Sequence, residues 1–87
     1  MSDHPCVTET PGVAGGYPVV WGTRTPVRLL VEAYRETGDV ERTSRLFRHL
    51  SRDQVRGALD YYAKYPARVD EDFERYARVL LELHREQ

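Results

Sequence analysis

Between residues 42 and 56 the chain carries five arginines, Arg42, Arg45, Arg48, Arg52 and Arg56, against one acid, Asp53. That is a local balance of +4 in a chain of 87 residues whose formal net charge is −1. A guanidinium presents a planar fork of donors that fits a phosphate or the edge of a guanine, and a carboxamide offers adenine a matched donor and acceptor. On that chemistry Arg42, Arg45 and Arg48 are expected to contact phosphates, which sets affinity without reading sequence. Arg52, Gln54 and Arg56 are the expected readers of base edges. The blander reading of the same residues is a solvated cationic face. Residues 70–87 reverse the sign, with six acids against three arginines. A basic middle and an acidic tail imply two surfaces with different partners.

Other chemistry finds less support. His4, His49 and His84 lie far apart, and none has a second ligand at metal spacing, so no metal and no cofactor is expected. Cys6 is the sole cysteine, which excludes an internal disulfide and fits a reducing compartment. Asp70, Glu71 and Asp72 read as charges at a helix start rather than a catalytic set. Gly15-Gly16 lacks the Lys and the Ser/Thr of a phosphate loop. An enzyme is not expected. The first twenty residues have no apolar run of a signal peptide, and the uncharged stretch from Thr10 to Thr23 is too short and too rich in Gly and Pro to span a bilayer. The expected location is the cytoplasm, with no membrane partner.

The arginines need elements to hold them. A chain this long makes one domain, burying roughly 60–65% of its unfolded surface. Helical spacing places a first helix over about Pro26 to Glu36, with Val27, Leu30, Val31 and Tyr34 inward. Gly38 should close it in a left-handed conformation and Asp39 should cap the next. The second helix, about Val40 to Arg48, would bury Val40, Thr43 and Phe47, with Leu46 a weaker candidate. Ser51 and Gln54 form a capping box for a third helix, Arg52 to Lys64, burying Val55, Ala58, Leu59 and Tyr62. Gly57 inside it is expected where another backbone comes close. Tyr65-Pro66 breaks that helix, and a fourth runs from about Asp70 to Glu86, with Phe73, Tyr76, Ala77, Leu80 and Leu83 as its apolar stripe. The second and third helices, joined by a short turn, fit a helix-turn-helix, in which the latter enters the major groove.

Before the helices comes "GGYPVVWGTRTPV", Gly15 to Val27, the only β-like stretch. Tyr17–Trp21 reads as a strand, Gly22-Thr23 as a hairpin loop and Arg24-Thr25 as a short return. A two-stranded ribbon is marginal in water and leaves both edges open. Either residues 6–8 supply a third strand or a second chain does. The expectation adopted is an isologous homodimer through Tyr17, Val19, Trp21 and Arg24. The alternative folds Trp21 onto the first helix of its own chain.

Taken together, these segments resemble a bacterial family named as domain of unknown function 433. The positions that carry the resemblance are Gly15, Gly16, Pro18, Gly22, Thr23, Arg24, Pro26 and Val27, then Leu50, Ser51, Val55, Ala58, Leu59 and Tyr61. It covers about Val7 to Asp70; Thr25 stands where Ile is usual and Arg48 where Pro is frequent. The resemblance implies a β-ribbon followed by a three-helical, homeodomain-like DNA-binding fold. It also implies a VapB-type antitoxin of a type II toxin–antitoxin pair, encoded beside a PIN-like ribonuclease toxin.

The expected fold is therefore mainly α: residues 1–25 an N-terminal segment with the ribbon, 26–65 the helix-turn-helix core and 66–87 a C-terminal helix, all in one domain. The expected partners are double-stranded DNA at its own promoter, a second copy, and the toxin protein. The toxin would be held through Phe73, Tyr76, Leu80 and Leu83, although the same stripe fits packing against the chain's own body. Two-fold symmetry would put half-sites about 34 Å apart on the DNA. The rival expectation is a dimeric adaptor that uses the helix-turn-helix shape for assembly without DNA.

Overall fold

Pro26 holds dihedral angles of φ −64° and ψ 139°, and helix α1, Val27–Thr37, begins at the next residue. The ring fixes φ and its missing N–H removes one donor that a helix start leaves unpaired anyway. The computed structural model describes residues 4–85. Helix α1 ends on Gly38, at φ 67°, whose N–H reaches the Tyr34 carbonyl at 2.7 Å. Asp39 then caps α2, Val40–Leu46, by accepting from the Glu41 N–H at 3.2 Å. Helix α2 stops two residues short of the expected Arg48, because Phe47 leaves helical angles at φ −118° and ψ 74°. Helix α3, Arg52–Lys64, has the expected bounds and the complete capping box.

Helix α4, Pro66–Arg85, starts four residues earlier than expected. Pro66 does end α3, but it opens the next helix at once, where proline is tolerated. The expected end at Glu86 lies outside the described residues. The early start puts Val69, 1% exposed, in the core.

The ribbon is smaller than expected and is closed within the chain. Strand β1, Val7–Thr8, pairs antiparallel with β2, Val19–Val20, in the register Val7 with Val20 and Thr8 with Val19. The expected strand over Tyr17–Trp21 keeps only its middle. Arg24-Thr25 does not return as a strand; a single bridge joins Val19 to Pro26. The Val20 N–H nonetheless reaches the Thr25 carbonyl at 2.9 Å, and Trp21 N–H reaches the Cys6 carbonyl at 2.9 Å. Both sides of β2 are thereby paired within the chain. Trp21 does not fold onto α1 either: it is 64% exposed.

The core comprises Val7, Val20, Val27, Leu30, Val31, Leu50, Val55, Ala58, Tyr61 and Val69. Two inward assignments shift. Tyr34 is exposed, and on α3 it is Tyr61 that is buried, while Tyr62 sits at the margin. There the Tyr62 hydroxyl donates to Asp70 at 2.8 Å and accepts from Arg35 at 3.0 Å. Leu46 is exposed as well. Gly57 does mark a close approach, but by the Cys6 side chain rather than by the expected backbone. A Cβ there would lie 2.8 Å from the Cβ of Cys6 and closer still to its sulfur, so β1 rests on α3 because this position has no side chain.

The acids at the start of α4 are not free helix-start charges. Asp72 is 1% exposed and accepts from Arg28 Nε at 3.4 Å and from Arg75 Nε and Nη2 at 3.1 and 2.8 Å. Arg28, itself buried on α1, lies over the Tyr76 ring at 4.1 Å. Glu71 pairs with Arg68. This network ties α1 to α4. Beyond it, every residue from Tyr76 to His84 is exposed.

Candidate nucleic-acid interface

Helix α2 is short and would not persist alone. Its position is set by Thr43, fully buried, whose hydroxyl donates to the Asp39 carbonyl at 2.9 Å and meets the Thr37 hydroxyl at 2.7 Å. The turn into α3 is anchored by Leu50, buried, whose N–H reaches the Phe47 carbonyl at 2.9 Å. Ser51 and Gln54 then start α3 through reciprocal bonds of 2.7 and 3.1 Å. These anchors hold the arginine-bearing turns of α2 and α3 beside each other.

The result is a concave surface of about 550 Å³ lined by Glu41, Ser44, Arg45, Arg48, Leu50 and Arg52. Three of the six expected DNA-binding residues meet here. Arg42, Gln54 and Arg56 do not line it. Arg45, Arg48 and Arg56 are exposed and make no ion pair among the described residues. Arg42 lies 3.9 Å from Asp39 in an exposed pair. Arg52 donates to Glu41 across the concavity, and that hydrogen bond with its charge holds the Arg52 guanidinium above the ordinary arginine range.

Gln54 presents a conflict. Its side-chain oxygen accepts from the Ser51 N–H, so the paired contact to adenine and the capping box exclude each other. Glu41 and Ser44 were not among the sequence candidates. Glu41 lies eleven residues before Arg52 on another helix, and local spacing holds no signal for that pair. Guanidiniums around a concavity have the donor geometry to take anions in rows or forks, and a phosphate backbone has that shape.

The residues expected at a dimer interface are dispersed. Val19 is 1% exposed and belongs to the interior of its own chain. Tyr17 meets Arg68 and Arg75, whose guanidinium carbons lie 4.4 and 5.0 Å from its ring centre. Trp21 and Arg24 remain exposed. Of the residues expected to hold a toxin, Phe73 is half-buried under Arg35 at 4.7 Å, and Tyr76, Leu80 and Leu83 are exposed on the far half of α4. Val79 and Leu81 add to that apolar surface. Among the described residues no group of three or more His, Cys, Asp or Glu is placed to hold a metal ion, and no helix is long and apolar enough to cross a membrane.

Comparison with known proteins bears on the same segments. The family described as "Protein of unknown function (DUF433)" matches residues 7–62, from β1 to near the end of α3, and leaves α4 outside. A crystal structure at 2.00 Å resolution of a DUF433 member protein from Anabaena variabilis ATCC 29413 is similar, with a TM-score of 0.63 and 32% identity. The likeness covers 77% of this chain and 66% of that one, so the chain spans about two thirds of its relative. No curated protein matches.

Proposed function

We infer that this chain, which belongs to the DUF433 family of proteins of unknown function, binds double-stranded DNA through α2 and α3 and serves as the antitoxin of a toxin–antitoxin pair. The observation that carries the DNA reading is the concavity where Arg45, Arg48 and Arg52 converge beside the helix-turn-helix turn. Arg45 and Arg48 have no internal carboxylate among the described residues, so their charge is available to phosphates. Arg56 on the exposed side of α3 is the remaining base-edge candidate. The second half of the reading rests on α4. Its stripe starts with Val69 in the core and Phe73 packed against it, passes Tyr76 beside Arg28, and continues as the exposed Leu80 and Leu83. That exposed stripe suits a protein partner, here a PIN-like ribonuclease.

The test is a titration of the DNA upstream of the gene at several salt concentrations. Each neutralised phosphate contributes about 0.9 to the slope of log affinity against log salt. Arg45→Ala with Arg48→Ala is expected to lower that slope by about 1.8. Equal binding by wild type and double mutant would move the interface elsewhere. Failure of wild type to bind that DNA at low salt, with a salt-insensitive complex formed with the adjacent gene product, would favour the adaptor reading. For the partner surface, Leu80→Asp with Leu83→Asp is expected to abolish the complex with that product while leaving DNA binding intact.

A further inference from the structure

The tip of the ribbon has no part in the reading so far, yet it is built with care. Gly22 turns the chain at φ +78°, and the Thr23 hydroxyl donates to the Val20 carbonyl at 2.8 Å while accepting from the Thr25 N–H at 3.1 Å. These bonds fix the direction in which the flanking side chains leave. Trp21 and Arg24 both leave toward solvent, and Arg24 makes no hydrogen bond, ion pair or ring contact among the described residues. A rigid turn that presents an unpaired guanidinium and an exposed indole is pre-organised for a contact outside the chain.

Three further observations say what kind. First, Thr25 Oγ1 and His49 Nε2 are 2.7 Å apart, a bond that joins the ribbon to the turn between α2 and α3. Arg24 and Arg48 are the sequence neighbours of its two ends, so this bond brings the ribbon segment beside the turn that carries Arg48. Second, the hollow beside the tip, about 350 Å³, is lined by Thr8, Thr10, Thr23, Trp21 and Arg24 with Val13 and Val19, and by no carboxylate. Third, Glu9 is the only carboxylate between residues 4 and 26, and it is turned to Arg68 at 3.5 Å. An isologous contact between two copies here would bring Arg24 to a face with no acid to receive it. A polyanion meets no such obstacle.

The geometry points to the ribbon tip as a second DNA-contacting element: Arg24 on a backbone phosphate beside those held by Arg45 and Arg48, and Trp21 against the adjoining sugar. It rests on the DNA reading above and extends the footprint of the helix pair. It also assigns a role to Gly22, Thr23 and Arg24 as one unit. The glycine and threonine shape the turn, and the arginine makes the contact. Thr25 and His49 are positioning residues that hold the tip in register with α3.

Trp21 is the only tryptophan, so the protein carries its own reporter. The experiment follows the wild-type chain onto upstream DNA by anisotropy of a labelled duplex and, in parallel, by tryptophan emission and acrylamide quenching. Expected are saturable binding in the first and, at the same midpoint, a loss of quencher access in the second. Arg24→Ala is expected to weaken binding about tenfold at moderate salt and to lower the salt slope by about 0.9, as for one lost phosphate. Thr25→Val is expected to weaken binding without altering that slope, because the guanidinium is kept but held less well. Binding by anisotropy with unchanged Trp21 quenching and an unchanged Arg24→Ala slope overturns the inference and leaves the helix-pair reading standing. Absence of binding by the wild type overturns both. Protection of Trp21 that rises with protein concentration in the absence of DNA overturns the inference in favour of a contact between copies.

Discussion

Replacing Asp72 with Ala tests how α4 is held to the rest of the protein. Asp72 is 1% exposed and accepts from two guanidiniums, those of Arg28 and Arg75. Arg75 is one third exposed and can turn to water when its acceptor is lost. Arg28 cannot: its side chain is 8% exposed, and the Tyr76 ring at 4.1 Å would be its remaining partner. Removing one member of a buried pair costs about 3–5 kcal/mol, since the other charge stays desolvated. The Arg28 contact is long at 3.4 Å and the ring offsets part of the loss, so the lower end, about 3 kcal/mol, is expected. A domain of this length has roughly 4–13 kcal/mol in all. With a urea dependence of about 1 kcal/mol per molar, the unfolding midpoint followed by circular dichroism should fall by about 3 M. Arg28→Met with Asp72→Leu removes both charges and should recover most of the loss. A fall below about 1 kcal/mol for Asp72→Ala, or a double mutant no better than the single, would refute the view that this pair is desolvated and holds α4.

Gly57→Ala should destabilise by about 1–2 kcal/mol: the helix gains about 1 kcal/mol from Ala, but the new Cβ collides with Cys6. In a Cys6→Gly background the same change should be neutral or stabilising, and a double-mutant cycle by urea unfolding measures the difference. Glu41→Gln should release Arg52 and raise DNA affinity about threefold to fivefold in the anisotropy titration, the scale of an exposed ion pair. The Tyr62 hydroxyl donates to Asp70, and this bond, with burial, raises its pKa above the ordinary tyrosine value. The stabilisation is full below the unfolded value and is lost as pH rises through the folded one. Asp70→Asn should bring that ionisation to lower pH in a tyrosinate absorbance titration, and an unchanged curve would show the bond to be absent.

Much of the local architecture was legible in the residues. Gly38, Asp39, Ser51 and Gln54 act on their own backbone within a few positions, so their roles can be read without knowing what the helices touch. Helix α3 accordingly has the expected bounds, and the β-ribbon-then-helices order is the expected one. The start of α4 was misplaced because Pro66 ends one helix and opens another, and the sequence alone shows the first role more plainly than the second. Tyr61 and Tyr62 are adjacent but point about 100° apart around the helix, and which one is buried depends on the face that α3 turns toward its neighbours. The pattern does not contain that orientation.

The basic character of residues 42–56 follows from the sequence, but which arginines share a surface does not. Arg45, Arg48 and Arg52 meet only because α2 and α3 cross at a turn anchored by Leu50, and Glu41 reaches Arg52 only across that crossing. Asp72 looked like its neighbours Asp70 and Glu71, yet it alone is taken out of water by α1. The amino-acid sequence by itself determined the caps, the turns, the helical faces and the local sign of charge, all set by interactions within a turn or two of chain. The tertiary structure decided which charges are paired, which are buried and which remain free for a partner, because Coulombic and solvation energies depend on distances that local spacing does not specify.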